Sequence, residues 1–288
     1  MTEPAPAPAP GPGADAYTHP AGWTYHWGAR KRPFVHPVTT PAGHVLTRNA
    51  PDDHPWHHAL WFTIKFVNEE NFWEEMAPYG VLRHTAPPVV TEAEGHTTVA
   101  GPLAWTRPDR ETVIIDEERT LSHCPLDDDA YALDLRTVLT PRADVRLDRT
   151  PYTTWGGYGG LSLRGRADWI DTTLRIAGGV STDKLRGERA SWCDLTGRPD
   201  GASTAAGIAM LDHPSNPRHP VPWYGTTRAP NYGDEGWSNF LNAAFLWEEG
   251  LDLAAGDALG FTYRVIVHDG HWDDARFDAA QGDFAAEA

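Results

Sequence analysis

Cysteine, basic charge and long apolar runs are all scarce in this chain. The two cysteines among 288 residues, Cys124 and Cys193, stand far apart and in no metal-type spacing. They are expected to be free thiols in a reducing compartment. No segment approaches the ~18 consecutive apolar residues of a membrane span. The opening Met1-Thr2-Glu3-Pro4 runs into an Ala/Pro repeat with neither a basic nor an apolar region of a secretory signal, so a cytoplasmic location is expected. Lys and Arg number 24 against 40 Asp and Glu, a net charge of -16. That acidity disfavours a nucleic-acid backbone or an anionic membrane as partner. A local basic pocket stays open, because Arg164, Arg166 and Arg175 lie close together. The run Gly156-Gly157-Tyr158-Gly159-Gly160 lacks the Gly-Lys-Ser/Thr ending of a phosphate loop and reads as a turn or close strand packing. Neither a Gly-X-Ser-X-Gly elbow, a dinucleotide fingerprint nor a CxxC is present.

Tryptophan and histidine are abundant instead, at 13 and 14 residues, and most of the Trp are expected to be core or edge packing. Three histidines fall in Asp52-Asp53-His54-Pro55-Trp56-His57-His58-Ala59-Leu60-Trp61-Phe62. Imidazole titrates near neutral pH and serves as acid, base or metal ligand. Pro55 stiffens the backbone before an alternating run, Leu60 to Val67, that reads as one strand. A second stretch, Asp212-His213-Pro214-Ser215-Asn216-Pro217-Arg218-His219-Pro220-Val221-Pro222-Trp223, repeats the Asp-His-Pro. The two are expected to meet in space and form one pocket. An Asp-His-Pro turn can equally serve only to hold a loop, the Asp accepting backbone N–H groups. Three clustered histidines and a repeated motif tip the balance to a function.

Residues 1–16 read as a disordered Pro/Ala-rich tail and 17–288 as a single β-sandwich domain. Strands are predicted over Glu111–Leu121, Tyr131–Leu139, Asp144–Leu147, Gly156–Arg164, Leu174–Val180, Gly207–Leu211, Ala243–Trp247 and Phe261–His268. Phe277, Ala280 and Phe284 keep helical spacing, so a short C-terminal helix closes an otherwise all-β, antiparallel fold.

Asp53-His54-Pro55-Trp56-His57-His58-Ala59-Leu60-Trp61-Phe62 and Asn71-Phe72-Trp73 together resemble the signature of the PmoA-like family of bacterial proteins. Ala190-Ser191-Trp192-Cys193-Asp194, the second Asp-His-Pro segment and the final Tyr263-Arg264-Val265 strand resemble its later half, so the likeness runs from about Trp23 to Gly270. Trp56, Ala59 and the Thr154–Gly160 stretch depart from the usual pattern. The resemblance implies a domain of unknown function similar to galactose-mutarotase-like proteins, an antiparallel β-supersandwich met in sugar-utilisation contexts. The methane-oxygenase name is read as a transferred error.

The expectation is therefore a carbohydrate-active protein, an enzyme of epimerase, lyase or glycoside-processing type using histidine acid/base chemistry. His54, His58 and His213 are the candidate catalytic groups, with Asp53, His57, Trp61, Glu74, Arg164, Asp212, His219 and Trp223 binding substrate. Asp168 and Glu188 are further carboxylates of interest. A concave face is expected to carry His54, His58, Trp61, Arg164, His213 and Trp223 together. One alternative is a non-catalytic carbohydrate-binding or sensing protein. Another is a metal-dependent, oxygenase-like enzyme with a divalent metal on His54, His58 and His213. No cofactor is otherwise expected. The partner is a small sugar or sugar derivative, and a homodimer is allowed.

Overall fold

The computed structural model describes residues 15–28, 31–93, 95–150, 158–228 and 237–287. The tail expected over 1–16 lies, up to residue 14, outside the described residues, as does the 151–157 part of the unusual Gly-rich stretch. The described residues form three antiparallel sheets and one α-helix. An 8-stranded sheet runs in the order Ala16–His19, Trp23–His26, Phe34–Val38, Leu60–Ile64, Gly159–Arg164, Trp237–Ala243, Pro222–Arg228, Lys184–Arg189. A 10-stranded sheet is centred on Ala206–Asp212, Leu259–Asp269, Ala130–Pro141 and Val113–Asp127. A small 4-stranded sheet joins Leu251–Leu253, Val145–Asp148, Phe66–Val67 and Glu70–Asn71. The all-β fold with a closing helix is thus what the chain adopts.

Alternation builds the layers. In Leu60–Ile64, Leu60, Phe62 and Ile64 enter a core shared with Leu121, Leu133 and Val265 of the larger sheet. Trp61 points the other way, because successive strand residues face opposite sides. Register then sets Phe34, Trp61, Ser162, Asn242 and Tyr224 side by side across the outward face of the 8-stranded sheet. Arg164, Phe240 and Thr226 form the next row. On the far side of the molecule the helix Asp274–Ala286 lays Phe277 and Phe284 on Trp192, Leu211 and Ile266 of the 10-stranded sheet. Asp273 caps the helix by accepting from the Arg276 N–H at 2.8 Å.

Several strand boundaries differ from the sequence reading, and Leu174–Val180 takes in the end of Ile170–Ile176, a turn and the start of Val180–Thr182. The run Leu60–Val67 breaks at Lys65, because the chain there changes partners from Gly159–Arg164 to Val145–Asp148. Ala243–Trp247 is a strand end followed by a turn, closed by the Trp247 N–H on Ala244 O at 2.8 Å. That turn buries Phe245 and Leu246 in the core, which explains the apolar run. Both cysteines are free, Cys193 being buried. No helix among the described residues is long and apolar enough to cross a membrane.

Three histidines are held neutral by this packing. Burial, then the neighbouring Arg119, pulls His84 down to about 3. Burial, then His19, brings His123 to about 4. Burial, then His26 and Arg166, brings His36 to about 4. The unfolded chain binds these protons near the ordinary value of about 6.5, so below that pH it holds more protons than the folded one. Stability should therefore fall as pH drops from about 6.5 towards 4, each proton adding up to ~1.4 kcal/mol per pH unit to the slope. Urea unfolding at pH 7, 5.5 and 4.5 checks this, and equal stabilities at the three values would refute it.

Candidate functional site

The His-rich segment folds over the outward face as a chain of turns. His54 N donates to Pro51 O at 3.0 Å, His57 N to His54 O at 2.9 Å, and Ala50 N to His57 O at 2.8 Å. Ala59, at φ 62°, swings the chain through the left-handed region into the strand at Leu60. The loop is pinned by Asp53. Its Oδ2 accepts from Arg164 Nη2 at 2.6 Å and from His54 Nδ1 at 2.8 Å. The Asp53 and Arg164 side chains are 9% and 5% exposed, so this is a buried ion pair. Burial opposes ionisation of Asp53, but the Arg164 charge and the two hydrogen bonds outweigh it and hold the carboxyl below its ordinary value.

His57 and His58 diverge across the sheet. His57 packs between His54, with ring centroids 4.6 Å apart, and Phe240, at 5.0 Å. Burial, then Arg164, holds it well below the ordinary imidazole value, so it is neutral. His58 stacks on Phe34 at 5.2 Å, with Nδ1 on Asn49 Oδ1 at 2.9 Å and Nε2 on Glu75 Oε1 at 2.7 Å. With both ring nitrogens engaged, His58 is poorly placed to shuttle a proton. Burial opposes the charge on Glu75, yet His58, Arg32 and Lys31 bring it down to about 2.

The Asn71–Glu75 loop covers this face. Asn71 Oδ1 accepts from the N–H groups of Trp73 and Glu74 at 2.8 and 3.1 Å, and Arg32 Nη2 donates to Trp73 O at 2.7 Å. Glu74 pairs with Lys65, whose pKa burial lowers against the opposing pull of Glu74. Trp61 and Trp73 lie 5.5 Å apart, Tyr158 stacks on Trp73 at 4.7 Å, and Trp247 stacks on Tyr224 at 6.0 Å. Within this aromatic enclosure Asp53 Oδ1, His57 Nδ1 and Trp61 Nε1 are buried without a hydrogen-bond partner. Buried polar atoms are nearly always paired, so three orphans together set this patch apart from the apolar core.

The second Asp-His-Pro segment does not join them. Asp212 is buried and accepts from Asn216 Nδ2 at 2.7 Å, His219 Nδ1 at 2.8 Å and the Val221 N–H at 2.9 Å, which is loop-holding geometry. His213 bonds Ser215 Oγ at 2.7 Å and Glu287 O at 3.2 Å, and meets the ring of Phe284 on the closing helix. Trp223 sits in the core between the sheets and donates to Ala190 O at 2.9 Å. The expected single pocket and the expected shared face are therefore corrected. The outward face receives His54, His58, Trp61 and Arg164, while His213 and Trp223 go elsewhere. Strand alternation is the reason for Trp223, since its neighbour Tyr224 takes the outward position. His213 follows a strand of the other sheet and faces the helix. The ligand set His54, His58 and His213 is corrected with it, and no group of three His, Cys, Asp or Glu side chains among the described residues is arranged to hold a metal ion.

Glu188 lies on the edge strand and accepts from the Arg186 N–H, while Asp168 pairs with Arg166 beside an open cleft. Sequence reasoning missed Arg32, Lys65, Glu75, Tyr224 and Phe240. Tyr224 was accessible through alternation with Trp223. Arg32 and Phe240 carry no local signal, because tertiary pairing alone brings them here.

Removing one partner of a buried ion pair leaves an uncompensated charge, at a cost of ~3–5 kcal/mol. Asp53→Ala and Arg164→Ala should each destabilise by that order, and the double variant by clearly less than their sum. A double-mutant cycle from urea unfolding measures the coupling, and strict additivity would show that the pair does not hold the loop.

Comparison with known proteins adds a family and loose structural likenesses, among them the two that follow. No curated protein matches the chain. A human-microbiome protein described as a kojibiose phosphorylase is similar at TM-score 0.34 and 10% identity, over 92% of this chain and 32% of that one. This chain thus spans about a third of that protein's length. A GalM/aldose epimerase homologue from C. elegans is similar at TM-score 0.35 and 10% identity, over 90% of this chain and 98% of that one. Both likenesses are too loose to carry an activity across. A family match extends over residues 19–281, and its name is not the PmoA-like one that the motifs suggested. On that match the chain belongs to the family of unknown function DUF6807.

Proposed function

We propose that the outward face of the 8-stranded sheet binds a sugar or sugar derivative and that His54 moves a proton on it. The observation that carries this reading is the Asp53 carboxylate, which takes His54 Nδ1 and Arg164 on one oxygen inside an aromatic enclosure with three unpaired buried polar atoms. An ionised Asp53 favours the tautomer with the proton on Nδ1, so Nε2 carries the lone pair of a base. Such general acid–base help contributes typically ~10²–10⁴-fold. The partly exposed rings of Trp56, Tyr158 and Trp247, packed on the buried Trp61 and Trp73, offer flat faces for the apolar side of a pyranose. Epimerisation, β-elimination and glycoside processing all need such a proton carrier.

The engagement of both His58 nitrogens favours a second reading, a non-catalytic sugar-binding protein, because one proton carrier then stands without an evident second. A panel of free sugars, sugar acids and short glycosides separates the two. A ligand at ~100-fold its dissociation constant should stabilise the protein by ~2.7 kcal/mol in a thermal shift. With the best ligand, exchange of sugar protons with deuterated solvent should be at least ~10²-fold slower in His54→Gln while binding persists. A flat panel on folded protein sinks the sugar reading. Binding without His54-dependent exchange leaves the binding protein.

A further inference from the structure

The three histidines held neutral by packing, His36, His84 and His123, border one element. This is the N-terminal hairpin of residues 16–26, in which Ala16–His19 pairs with Trp23–His26 at the edge of the 8-stranded sheet. Its inner strand pairs with Phe34–Val38, and His26 Nε2 donates to His36 O at 2.7 Å. Trp23 and Tyr25 are buried and reach across to the 10-stranded sheet. Trp23 Nε1 donates to His123 Nδ1 at 3.2 Å. An indole nitrogen can only donate, so neutral His123 accepts on Nδ1 and carries its one proton on Nε2. A second proton can enter only at Nδ1, the atom that Trp23 occupies. Charge on His123 and the docking of Trp23 are therefore mutually exclusive.

The second contact follows the same logic. The Tyr25 hydroxyl meets His84 Nε2 at 2.8 Å, and Arg119 stands beside both. Glu117 already accepts from Arg119 Nε, Thr137 Oγ1 and Trp105 Nε1. An imidazolium at His84 would thus face a cation while the carboxylate of that cluster is committed elsewhere. Around His123, the ring of His19 lies 4.2 Å away and stacks on Trp23 at 5.0 Å. His96 adds its own repulsion to charge on His123, and Tyr131 closes another side at 5.1 Å. Glu92 accepts from the Tyr17 hydroxyl and favours a proton on His19, but burial outweighs it. At the other end of the hairpin His26 stacks on Phe34 at 4.7 Å and Phe34 on His58 at 5.2 Å, so the hairpin borders the candidate site.

We propose that the hairpin of residues 16–26 is an acid-released element: proton uptake by His84 and His123 undocks it from the 10-stranded sheet while the central strands stay folded. Terminal edge elements open at lower free energy than central strands, so the hairpin can part from the sandwich without global unfolding. Once it opens, both imidazoles meet water and regain an ordinary affinity near 6.5. Their docked values, about 3 for His84 and about 4 for His123, are depressed. Docking is therefore fully favoured above about pH 6.5 and weakens as pH falls towards 4. Release also takes His26 out of the ring stack behind His58.

Hydrogen exchange of the full chain, read by mass spectrometry at pH 7, 5.5 and 4.5 and corrected for the intrinsic exchange rate at each pH, tests it. The opening constant of residues 16–27 should rise at least about tenfold from pH 7 to 4.5, each imidazole being able to supply up to ~10²-fold. At pH 4.5 those residues should be at least about tenfold less protected than Ala130–Pro141 and Leu259–Asp269. Glutamine keeps an acceptor oxygen but does not titrate, so His84→Gln and His123→Gln, checked for folding by circular dichroism, should each remove part of the rise, and the double variant most of it. An opening constant for the hairpin that does not change with pH overturns the proposal, and the unmodified protein alone decides that. Equal protection of hairpin and central strands at pH 4.5 overturns a local release in favour of global unfolding. A rise that persists in both single variants overturns these two histidines as the trigger.

Discussion

The pair between Arg164 and Asp53 is the contact on which the candidate site depends. Arg164 is the last residue of a central strand, and Asp53 belongs to a loop closed at its base by the Asn49–His58 bridge and containing no strand of its own. Joining them fixes the loop against the sheet, and with it the ring of His54 and the stack of His54, His57 and Phe240. Buried ion pairs contribute little net stability over a well-packed apolar alternative. Their value lies in allowing few arrangements, since either charge alone in that place is costly. A pinned His54 fits such a role, because acid–base chemistry depends on a proton carrier held within hydrogen-bond reach.

The same sheet separates two chemistries by parity. Inward positions of the 8-stranded sheet fill one apolar core with Leu60, Phe62, Leu161, Leu163, Leu241 and Trp223. Outward positions of the same strands carry Trp61, Arg164, Phe240 and Tyr224. Most of these outward residues are nonetheless buried, because the Asn71–Glu75 loop and the Ala244–Trp247 turn lie over them. The core supplies rigidity, and the covered outer face supplies a low-dielectric surface where charges act strongly. The chain is acidic as a whole, yet Lys31, Arg32, Lys65 and Arg164 gather here with Asp53, Glu74 and Glu75. Local balance therefore departs from global charge, and the site can attract groups that the rest of the surface repels.

The Asp-His-Pro echo shows how one sequence motif can do two jobs. In the first copy the aspartate binds an arginine and a histidine and leaves one oxygen unpaired. In the second, Asp212 gathers an amide, an imidazole and a backbone N–H and spends its capacity on holding its own loop. The residues are alike. What differs is whether a cation from another strand reaches the carboxylate.

Local pattern was enough to decide the fold class. Alternation marked most strands, Phe277, Ala280 and Phe284 marked the helix, and the lack of helical periodicity elsewhere left an antiparallel sandwich. The cluster of His54, His57 and His58 with Trp61 was also legible, because unusual residues concentrated in one short stretch beside a strand. Tertiary structure alone decided the company they keep. Glu75 rather than Glu74 meets His58, Arg32 arrives from the bend before Phe34–Val38 and Phe240 from a distant strand, and His213 and Trp223 leave for the helix and the core. The physical reason is that periodicity says which residues share a face of their own strand. Which strands lie side by side, and which loop folds over them, depends on long-range pairing and on charges that find each other across the sheet.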